Sequence, residues 1–455
     1  MPALVLGNSR TEEMVGELAA LTGLERQLGG CAALRSLWFT QSGDVVVLPY
    51  PPRDEYLTYV TDLTHTDPGS LTVLVPPPGV LGADLLTPDR TADPGFRKQA
   101  QAAVRERGVD RVLAVYKDVP IAQFAVAVGL ALPGHAFAAQ GGDAIVNSKA
   151  AFRALAAGAG VPIAQGLATT RKIEAQAAIT ELLAAGHSVM VKQEYQSGGF
   201  GNEILSPVAG VRLAGAPAAV VLPDSAAVAD YLEQRWEGLT VGGSLKLIIE
   251  QYLPDCATVY AEYLICDEGP ELSGTGEILM EPVAIGEIVP AQALTPASRT
   301  FLVESGLRLC RSLHAMGYRG YLSADAVLTP AGDIVFTETN GRISGSTHLH
   351  ISIGARVLDA AHRGRRVLLQ LSGWAVPSFA AAVERLRDAD LAFDRETGVG
   401  VVLVSDLMPD GTLSYCVVAE NLESARALDR RLTGLFDLAA QGSTVDAGDS
   451  DMSNR

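Results

Sequence analysis

The sequence lacks the features of several large protein classes. It has five cysteines in 455 residues and no CxxC pair, which argues against a disulfide framework and against a cysteine-based zinc site. Lysine and arginine number 35 against 52 acidic residues, so the formal net charge is -17. We therefore expect no broad basic surface and no nucleic-acid partner.

No segment is a candidate for membrane insertion or export. No apolar run is long enough to span a bilayer, and the first residues, MPALVLGNSRTEEM, have no basic segment before their short apolar run. We therefore expect no signal peptide, no membrane partner and a cytoplasmic location. Hydrophobic residues make up 48% and charged residues 19% of the chain, which is an ordinary globular composition.

The chain is long enough for several domains. In residues 1–140, β-rich runs alternate with helical stretches such as TEEMVGELAAL, which predicts a doubly wound α/β domain. Residues 141–373 predict an α+β body of two lobes. Residues 374–440 contain a helix, a hairpin and a last helix, which predict a small α+β C-terminal domain. Residues 441–455 are polar and acidic, and a disordered tail is expected.

The segment YLSADAVLTPAGDIVFTETNGR predicts two strands joined by a turn at residues 330–333. Pairing them there places Asp325 opposite Glu338, and Asn340 leaves the same face as Glu338 because side chains alternate along a strand. Three oxygen donors of this kind suit magnesium rather than zinc. The alternative is that the two acidic residues are ordinary solvated strand residues.

Two other segments contain candidate nucleotide contacts. SVMVKQEYQSGGFGNEIL predicts a strand that ends near Lys192, followed by a glycine-rich loop whose backbone N–H groups could approach phosphates. An ordinary hairpin turn is the alternative for the loop, and a surface lysine is the alternative for Lys149 at a helix start. SLKLIIEQYLP predicts an apolar strand whose edge, at Glu250, Gln251 and Leu253, could hold an adenine.

Together and in this order, residues 140–373 resemble the ATP-grasp superfamily. The resemblance implies a pre-ATP-grasp domain before a two-lobed ATP-grasp body, with ATP and two Mg²⁺ ions bound. Asp325, Glu338 and Asn340 would hold the metal ions. The implied nucleotide contacts are Lys149, Lys192, Ser197, Gly198, Gly199, Gly201, Glu250, Gln251 and Leu253. The ribose contact is unassigned, with Asp255 as a candidate.

The run ETNGRISGSTHLH narrows the resemblance to ligases that use amino acids. Arg342, together with Lys192, is implied as a catalytic residue that steadies the transferred phosphate. Ser344, Ser346 and His348 are the candidate substrate contacts, with His348 and His350 predicted to alternate on a strand. The layout is most similar to the peptide ligases of pheganomycin-type antibiotic biosynthesis, which implies a guanidino-bearing acid as acyl donor and a peptide or amino-acid amine as acceptor.

The predicted function is therefore an ATP-dependent ligase that forms an amide bond through an acyl phosphate. No GxxxxGK[ST] loop, HRD and DFG pair or GxSxG motif is present to suggest another ATP-using or nucleophilic class. A small-molecule kinase of the same fold and a non-catalytic nucleotide sensor are the alternatives. The sequence does not name a general base or the oligomeric state, for which a homodimer is one candidate.

Overall fold

The computed structural model describes residues 1–196 and 198–436. Its first unit contains a parallel sheet in the order β3-β2-β1-β4. The strands are short apolar runs, and β1 and β2 are buried along their whole length because helices cover both faces of a doubly wound sheet. Their bounds are Ala3–Leu6 (β1), Val45–Val47 (β2), Thr72–Leu74 (β3) and Arg111–Ala114 (β4).

Six helices surround this sheet, which confirms the predicted doubly wound domain. They are Glu12–Val15 (α1), Gly23–Leu34 (α2), Asp54–Thr64 (α3), Pro88–Thr91 (α4), Pro94–Arg107 (α5) and Val119–Ala127 (α6), with 3-10 turns at Leu18–Ala20, Arg35–Phe39 and Pro68–Ser70. The prediction of a helix over TEEMVGELAAL is wrong in its extent. Helix α1 ends after one turn because Gly16 adopts φ 85°, a conformation that glycine accepts at little cost.

The second unit is a five-stranded sheet in the order β5-β9-β6-β7-β8 with helices on one side. Its strands are Gly166–Thr169 (β5), Val189–Gln193 (β6), Asn202–Ser206 (β7), Ala219–Val221 (β8) and Leu247–Gln251 (β9). The helices of this region are His135–Ala138 (α7), Gly142–Asn147 (α8), Lys149–Gly158 (α9), Lys172–Ala184 (α10) and Ser225–Thr240 (α11). Helices α10 and α11 bury a continuous apolar cluster against the sheet, and this unit forms the first lobe.

The third unit is an eight-stranded antiparallel sheet in the order β14-β13-β10-β11-β12-β15-β17-β16. Its strands are Ala257–Ile265 (β10), Pro270–Met280 (β11), Ala284–Val289 (β12), Gly320–Leu328 (β13), Ile334–Asn340 (β14), Val367–Ala375 (β15), Gly400–Leu403 (β16) and Thr412–Ala419 (β17). Helix α12, Pro296–Met316, packs on it, and a π-helical segment spans Leu349–Val357. This sheet forms the second lobe.

The C-terminal segment contributes helices Phe379–Asp388 (α13) and Leu422–Thr433 (α14) and a 3-10 turn at Gly434–Phe436. The predicted hairpin is confirmed by the antiparallel pairing of β16 with β17. Strand β15 passes through the predicted boundary at residue 373 and pairs with β17, so the small C-terminal domain continues the sheet of the second lobe. The predicted domain boundaries stay predictions, and the predicted tail at 441–455 lies outside the described residues.

The N-terminal and C-terminal units share a core. The indole N–H of Trp38 donates to the carbonyl of Val404 at 3.1 Å, and the hydroxyl of Tyr56 donates to the same carbonyl. Phe379 packs edge-on against Tyr56 with ring centroids 5.6 Å apart. These buried contacts join the first unit to the C-terminal part of the chain, and residues of both belong to one hydrophobic core cluster.

Candidate active site between the lobes

The hairpin of β13 and β14 has the predicted register. Asp325 is directly opposite Glu338, and the chain turns at residues 329–333. The side-chain amide of Asn340 donates to Asp325 Oδ2 at 2.9 Å, and the Ser323 hydroxyl donates to Asp325 Oδ1 at 2.5 Å. The three metal candidates therefore lie together on one face of the second lobe. Their role as ligands stays a prediction.

The pKa values of the two carboxyl groups of this hairpin are shifted in opposite directions. Burial, followed by the charge of Glu338, raises the pKa of Asp325 to about 7. Burial also acts on Glu338, but the positive charges of Lys149 and Lys192 outweigh it and hold the pKa of Glu338 below its usual value. Two carboxylates that repel each other in a buried place are a site where a divalent cation would be favoured.

The donor set fits magnesium. Among the described residues there is no group of three or more histidine, cysteine, aspartate or glutamate side chains that could hold a metal ion. The candidate site thus offers a small set of protein ligands, Asp325, Glu338 and the Asn340 amide. Each of them would bind a metal ion through an oxygen atom. Magnesium retains several water or phosphate oxygens when it binds to proteins, so a small oxygen set of this kind suits it.

Both predicted phosphate lysines are buried and ion-paired. Lys149 begins helix α9, which Ser148 caps, and its Nζ lies 3.0 Å from Glu338 Oε2. The same Nζ donates to the carbonyl of Gln196 at 2.7 Å. Lys192 on β6 forms an ion pair with Glu250. Lys192 lines the cavity between the lobes, whereas Lys149 lies behind Glu338 and does not line it.

Part of the glycine-rich loop of the first lobe lines the cavity. Gly198 and Gly199 line the cavity and both have positive φ, whereas Gly201 does not line it. The carbonyl of Gly198 accepts a hydrogen bond from Ala284 N of the second lobe at 3.3 Å, and the Gln196 amide donates to the carbonyl of Val15 in α1 at 3.0 Å. Ser197 lies outside the described residues. The loop thus contacts two other units of the chain.

The predicted adenine strand is not an edge strand. Strand β9 lies between β5 and β6, so the main chain of Glu250 is paired on both sides. The Glu250 side chain is occupied as well, because Lys192 and Arg153 both pair with it. Gln251 and Leu253 line the cavity at the point where the strand ends. The main-chain N–H groups of Gln251 and Tyr252 also donate, to the carbonyls of Gln165 and Ser188, so a main-chain N–H group available to an adenine would lie beyond Tyr252.

The surroundings of this end of the cavity are apolar. The wall consists of Met190, Ile278, Met280, Val327 and Val335. Asp255, the ribose candidate, is exposed and forms an ion pair with Arg212 at 3.2 Å, and it does not line the cavity. An apolar slot beside a strand end is the usual surrounding of a flat heteroaromatic ring.

Arg342 lines the same cavity as Asp325, Glu338 and Asn340. Strand β14 ends at Asn340, and Asn147 of α8 then holds the turn. Asn147 Oδ1 accepts hydrogen bonds from Gly341 N at 3.0 Å and from Arg342 Nη1 at 2.7 Å. The strand has therefore already turned when the chain reaches Arg342, and it is Asn147 that positions the guanidinium at the cavity.

The candidate substrate residues divide into two groups. Ser344 and Ser346 line the cavity, and their hydroxyls donate to Glu262 Oε2. The prediction that His348 and His350 alternate on a strand is wrong, because both lie in the helical segment that includes Leu349–Val357. His348 is fully buried and does not line the cavity, and His350 Nε2 lies 3.2 Å from the Tyr260 hydroxyl.

Several cavity residues were missed by the sequence reasoning. They include Ser9, Arg10, Arg35 and Ser36 of the first unit and Tyr260 and Glu287 of the second lobe. Arg10 carried a usable signal, because it follows the buried strand β1 and ligands of doubly wound sheets bind at the carboxyl ends of strands. Arg35, Tyr260 and Glu287 carried none, since only tertiary packing brings them to the cavity. The cavity has a volume of about 420 Å³.

Comparison with known domain families gives two matches. Residues 33–130 match the pre ATP-grasp domain, and residues 381–432 match the PGM1 C-terminal domain. Neither match includes the hairpin of β13 and β14. A comparison of the sequence with curated proteins gives no match.

Solved structures match nearly the whole chain. N5-carboxyaminoimidazole ribonucleotide synthetase from Thermus thermophilus aligns with a TM-score of 0.56 at 15% identity, over 96% of this chain and 98% of that one. Biotin carboxylase from Campylobacter jejuni, in a β,γ-ATP complex, aligns with a TM-score of 0.55 at 14% identity, over 93% of this chain and 89% of that one. The chain has an ATP-grasp fold.

A third structure with this fold is the biotin carboxylase domain of Hydrogenobacter thermophilus 2-oxoglutarate carboxylase, in complex with MgADP, ADP and bicarbonate. It aligns with a TM-score of 0.56 at 15% identity, over 94% of this chain and 89% of that one. The ATP-grasp fold thus extends through both lobes and the C-terminal segment. In the part of the chain that the structure describes, no helix is long and apolar enough to cross a membrane.

Proposed function

We propose that this chain is an ATP-dependent ligase that joins a carboxylic acid to an amine through an acyl phosphate, with release of ADP and phosphate. One observation supports this most. A single cavity is lined by two carboxylates and an amide on one hairpin, by a buried lysine on the facing lobe and by an arginine just beyond the hairpin. Those are the groups that phosphoryl transfer to a carboxylate requires.

The nucleotide is proposed to lie between the lobes. Its adenine would occupy the apolar slot beyond Gln251 and Leu253, and its phosphates would meet Lys192, with Lys149 holding Glu338 from behind. The loop of Gly198, Gly199 and Gly201, with Ser197, would cover the phosphates. Glu250 would act by orienting Lys192 rather than by contacting adenine, because both of its oxygens are ion-paired. Bound ADP and a β,γ-ATP ligand in two neighbours of the same fold support this placement.

Asp325, Glu338 and Asn340 are proposed to hold two magnesium ions with the phosphates. When bound, magnesium neutralises phosphate charge and favours in-line transfer. The chain itself contributes the rest. Lys192 balances the negative charge of the nucleotide, and Arg342, held by Asn147, donates to the migrating phosphoryl group or to the carboxylate that receives it. Loop closure would exclude water from the acyl phosphate.

The proposed acyl donor is an amino-acid-like carboxylic acid, with a guanidino acid as the first candidate, and the acceptor is the amine of a peptide or amino acid. A peptide ligase of the pheganomycin type is the finer proposal. Ser344 and Ser346 line the substrate end, beside three arginines, Arg10, Arg35 and Arg342, which suit a carboxylate. We propose no nucleic-acid or membrane partner and a cytoplasmic location, with a homodimer as a candidate assembly.

A two-stage screen tests the function. Amino acids, guanidino acids and short peptides are first offered as the acid with ATP, Mg²⁺ and hydroxylamine, and hydroxamate, ADP and phosphate are measured. Each acid that gives a hydroxamate is then offered with amino acids and peptides as amines, and the amide is identified by mass spectrometry. We expect ADP and phosphate release that depends on both acid and amine.

The same screen separates the alternatives. A kinase would release ADP and a stable phosphorylated product but no free phosphate, and it would form no hydroxamate. A nucleotide sensor would bind ATP and release no ADP with any acid. Either result would refute the ligase proposal.

A further inference from the structure

Four carboxylates of the described residues line the cavity: Glu250, Glu287, Asp325 and Glu338. Glu250 is paired with Lys192 and Arg153, and Asp325 and Glu338 form the metal candidate. Glu287 remains. The proposed ligase chemistry gives Glu287 no role. A charged side chain inside a cavity nevertheless costs free energy unless an opposite charge or hydrogen bonds stabilise it.

Glu287 lies on β12, and among the described residues a hydrogen bond is found for one of its two carboxylate oxygens. The hydroxyl of Tyr260 donates to Glu287 Oε2 at 3.3 Å and also lies 3.2 Å from His350 Nε2. No ion pair within 4.0 Å includes Glu287 in the described part of the chain. Gly345 passes so close that a Cβ there would come within 2.8 Å of Oε1. Glycine at 345 therefore leaves room for this oxygen beside the main chain.

Positive charge lies close enough to Glu287 to act on it electrostatically. Arg35 also lines the cavity and attracts Glu287 electrostatically, yet the two form no ion pair, and the Nε of Arg35 is buried with no hydrogen-bond partner among the described residues. Arg10 and Arg342 line the cavity as well. The substrate end thus has an arginine side and a carboxylate side, which suits a pair of substrates that bring both negative and positive charge.

A second carboxylate lies behind the first. Glu262 is 1% exposed and its Oε2 accepts hydrogen bonds from the hydroxyls of Ser344 and Ser346, whereas its Oε1 has no hydrogen-bond partner in the described ranges. Burial, and then the charge of Glu262, raises the pKa of Glu287 to about 8. A bound cation would offset both effects and favour the ionised carboxylate.

We propose that Glu287 is the catalytic residue that receives the ammonium group of the acceptor amine and takes its proton. This inference rests on the proposed ligase function. An ammonium has no lone pair, so it must lose a proton before it attacks. The proton passes from nitrogen to a Glu287 oxygen, and the neutral amine forms the C–N bond with the acyl carbon. The C–O bond to phosphate then breaks, and phosphate leaves with the electron pair and takes the second proton of the nitrogen.

The proposal assigns a substrate class to this side of the cavity. The acceptor is an amine that is protonated in solution, such as the α-amino group of an amino acid or peptide. Alcohols and thiols bring no positive charge to Glu287 and are expected to be poor acceptors. The arginines of the cavity would then bind the carboxylate of the acyl donor and the phosphates.

The test compares two acceptors in Glu287→Gln, which keeps the shape and the contact with Tyr260. Hydroxylamine is largely uncharged at neutral pH and traps the acyl phosphate without a base. We expect hydroxamate formation within about threefold of wild type, whereas amide formation with the amine found in the screen falls by about 10²-fold or more, the usual contribution of a general base. Glu271→Gln is the matched control, because Glu271 is an exposed residue of β11 outside the cavity, and it should change neither rate.

Three results would overturn the inference. Equal loss of hydroxamate and amide would mean that Glu287 supports acyl-phosphate formation or folding instead. Normal rates of both would show that no proton passes to it. If the wild-type protein forms neither hydroxamate nor amide with any acid, the proposed ligase function itself fails, and that result is independent of the variant.

Discussion

Glu338→Gln is the perturbation that tests the metal hypothesis most directly. Glu338 is paired with Lys149 at 3.0 Å and lies opposite Asp325. The substitution keeps the volume and one oxygen but removes the charge that a divalent cation needs. Mutating a residue that only hydrogen-bonds to a metal ligand lowers metal affinity or activity by about 10–100-fold. Removing the charge of a residue that itself binds the metal should therefore reduce turnover by at least about 100-fold.

The structural cost of Glu338→Gln should be small by comparison. Breaking a buried ion pair costs about 3–5 kcal/mol when the remaining charge has no other partner. Lys149 retains the carbonyl of Gln196 at 2.7 Å, and the Glu338 side chain is 22% exposed, so a loss on the order of 1–2 kcal/mol is more realistic. Loss of the Glu338 charge should also lower the pKa of Asp325, because their repulsion raises it.

The assay measures ADP release with the acid and amine of the screen, across a range of Mg²⁺ concentrations, together with urea unfolding. A folded variant with at least about 100-fold lower kcat and a higher requirement for Mg²⁺ is expected. Near-normal kcat in a folded Glu338→Gln protein would refute the assignment of Glu338 as a metal ligand.

Three further substitutions test other parts of the site. Lys192→Ala should weaken ATP binding by about 1.5–3 kcal/mol, measured by calorimetry, and an unchanged affinity would place Lys192 outside the phosphate site. Arg342→Lys keeps the charge but loses the planar fork, so kcat should fall by a large factor while KM for ATP changes little; a higher KM for the acid at constant kcat would make Arg342 a carboxylate anchor. Burial raises the pKa of Glu262 to about 7 from 4.5, so the folded state binds more protons than the unfolded state between these values, and stability should fall as pH rises from about 4.5 to 7, on the order of 3 kcal/mol in total. Asp325 and Glu287 contribute in the same direction, because their pKa values are raised as well. Glu262→Gln should therefore make the fall in stability between pH 5 and pH 8, measured by urea unfolding, smaller by on the order of 3 kcal/mol without abolishing it, and an unchanged pH dependence would contradict this reasoning.

The hairpin shows where sequence reasoning succeeds. Its turn residues and its period-two pattern are local, so the opposition of Asp325 and Glu338 followed from a single register. The strand predicted for His348 and His350 failed for a local reason as well. Leu349, Ile353 and Val357 are buried at intervals of four residues, a helical spacing that the alternating pattern of the two histidines obscured.

The sequence by itself determined the order of elements, the parallel α/β domain, the hairpin of β13 and β14 and the glycine-rich loop, because each depends on side chains within one or two adjacent segments. Only the tertiary structure decided that β9 lies inside its sheet, that both oxygens of Glu250 are ion-paired, and that Arg35 and Glu287 line one cavity. Arg35 and Glu287 are far apart in the chain, and no local propensity encodes a contact that forms only when separate units pack around a shared core.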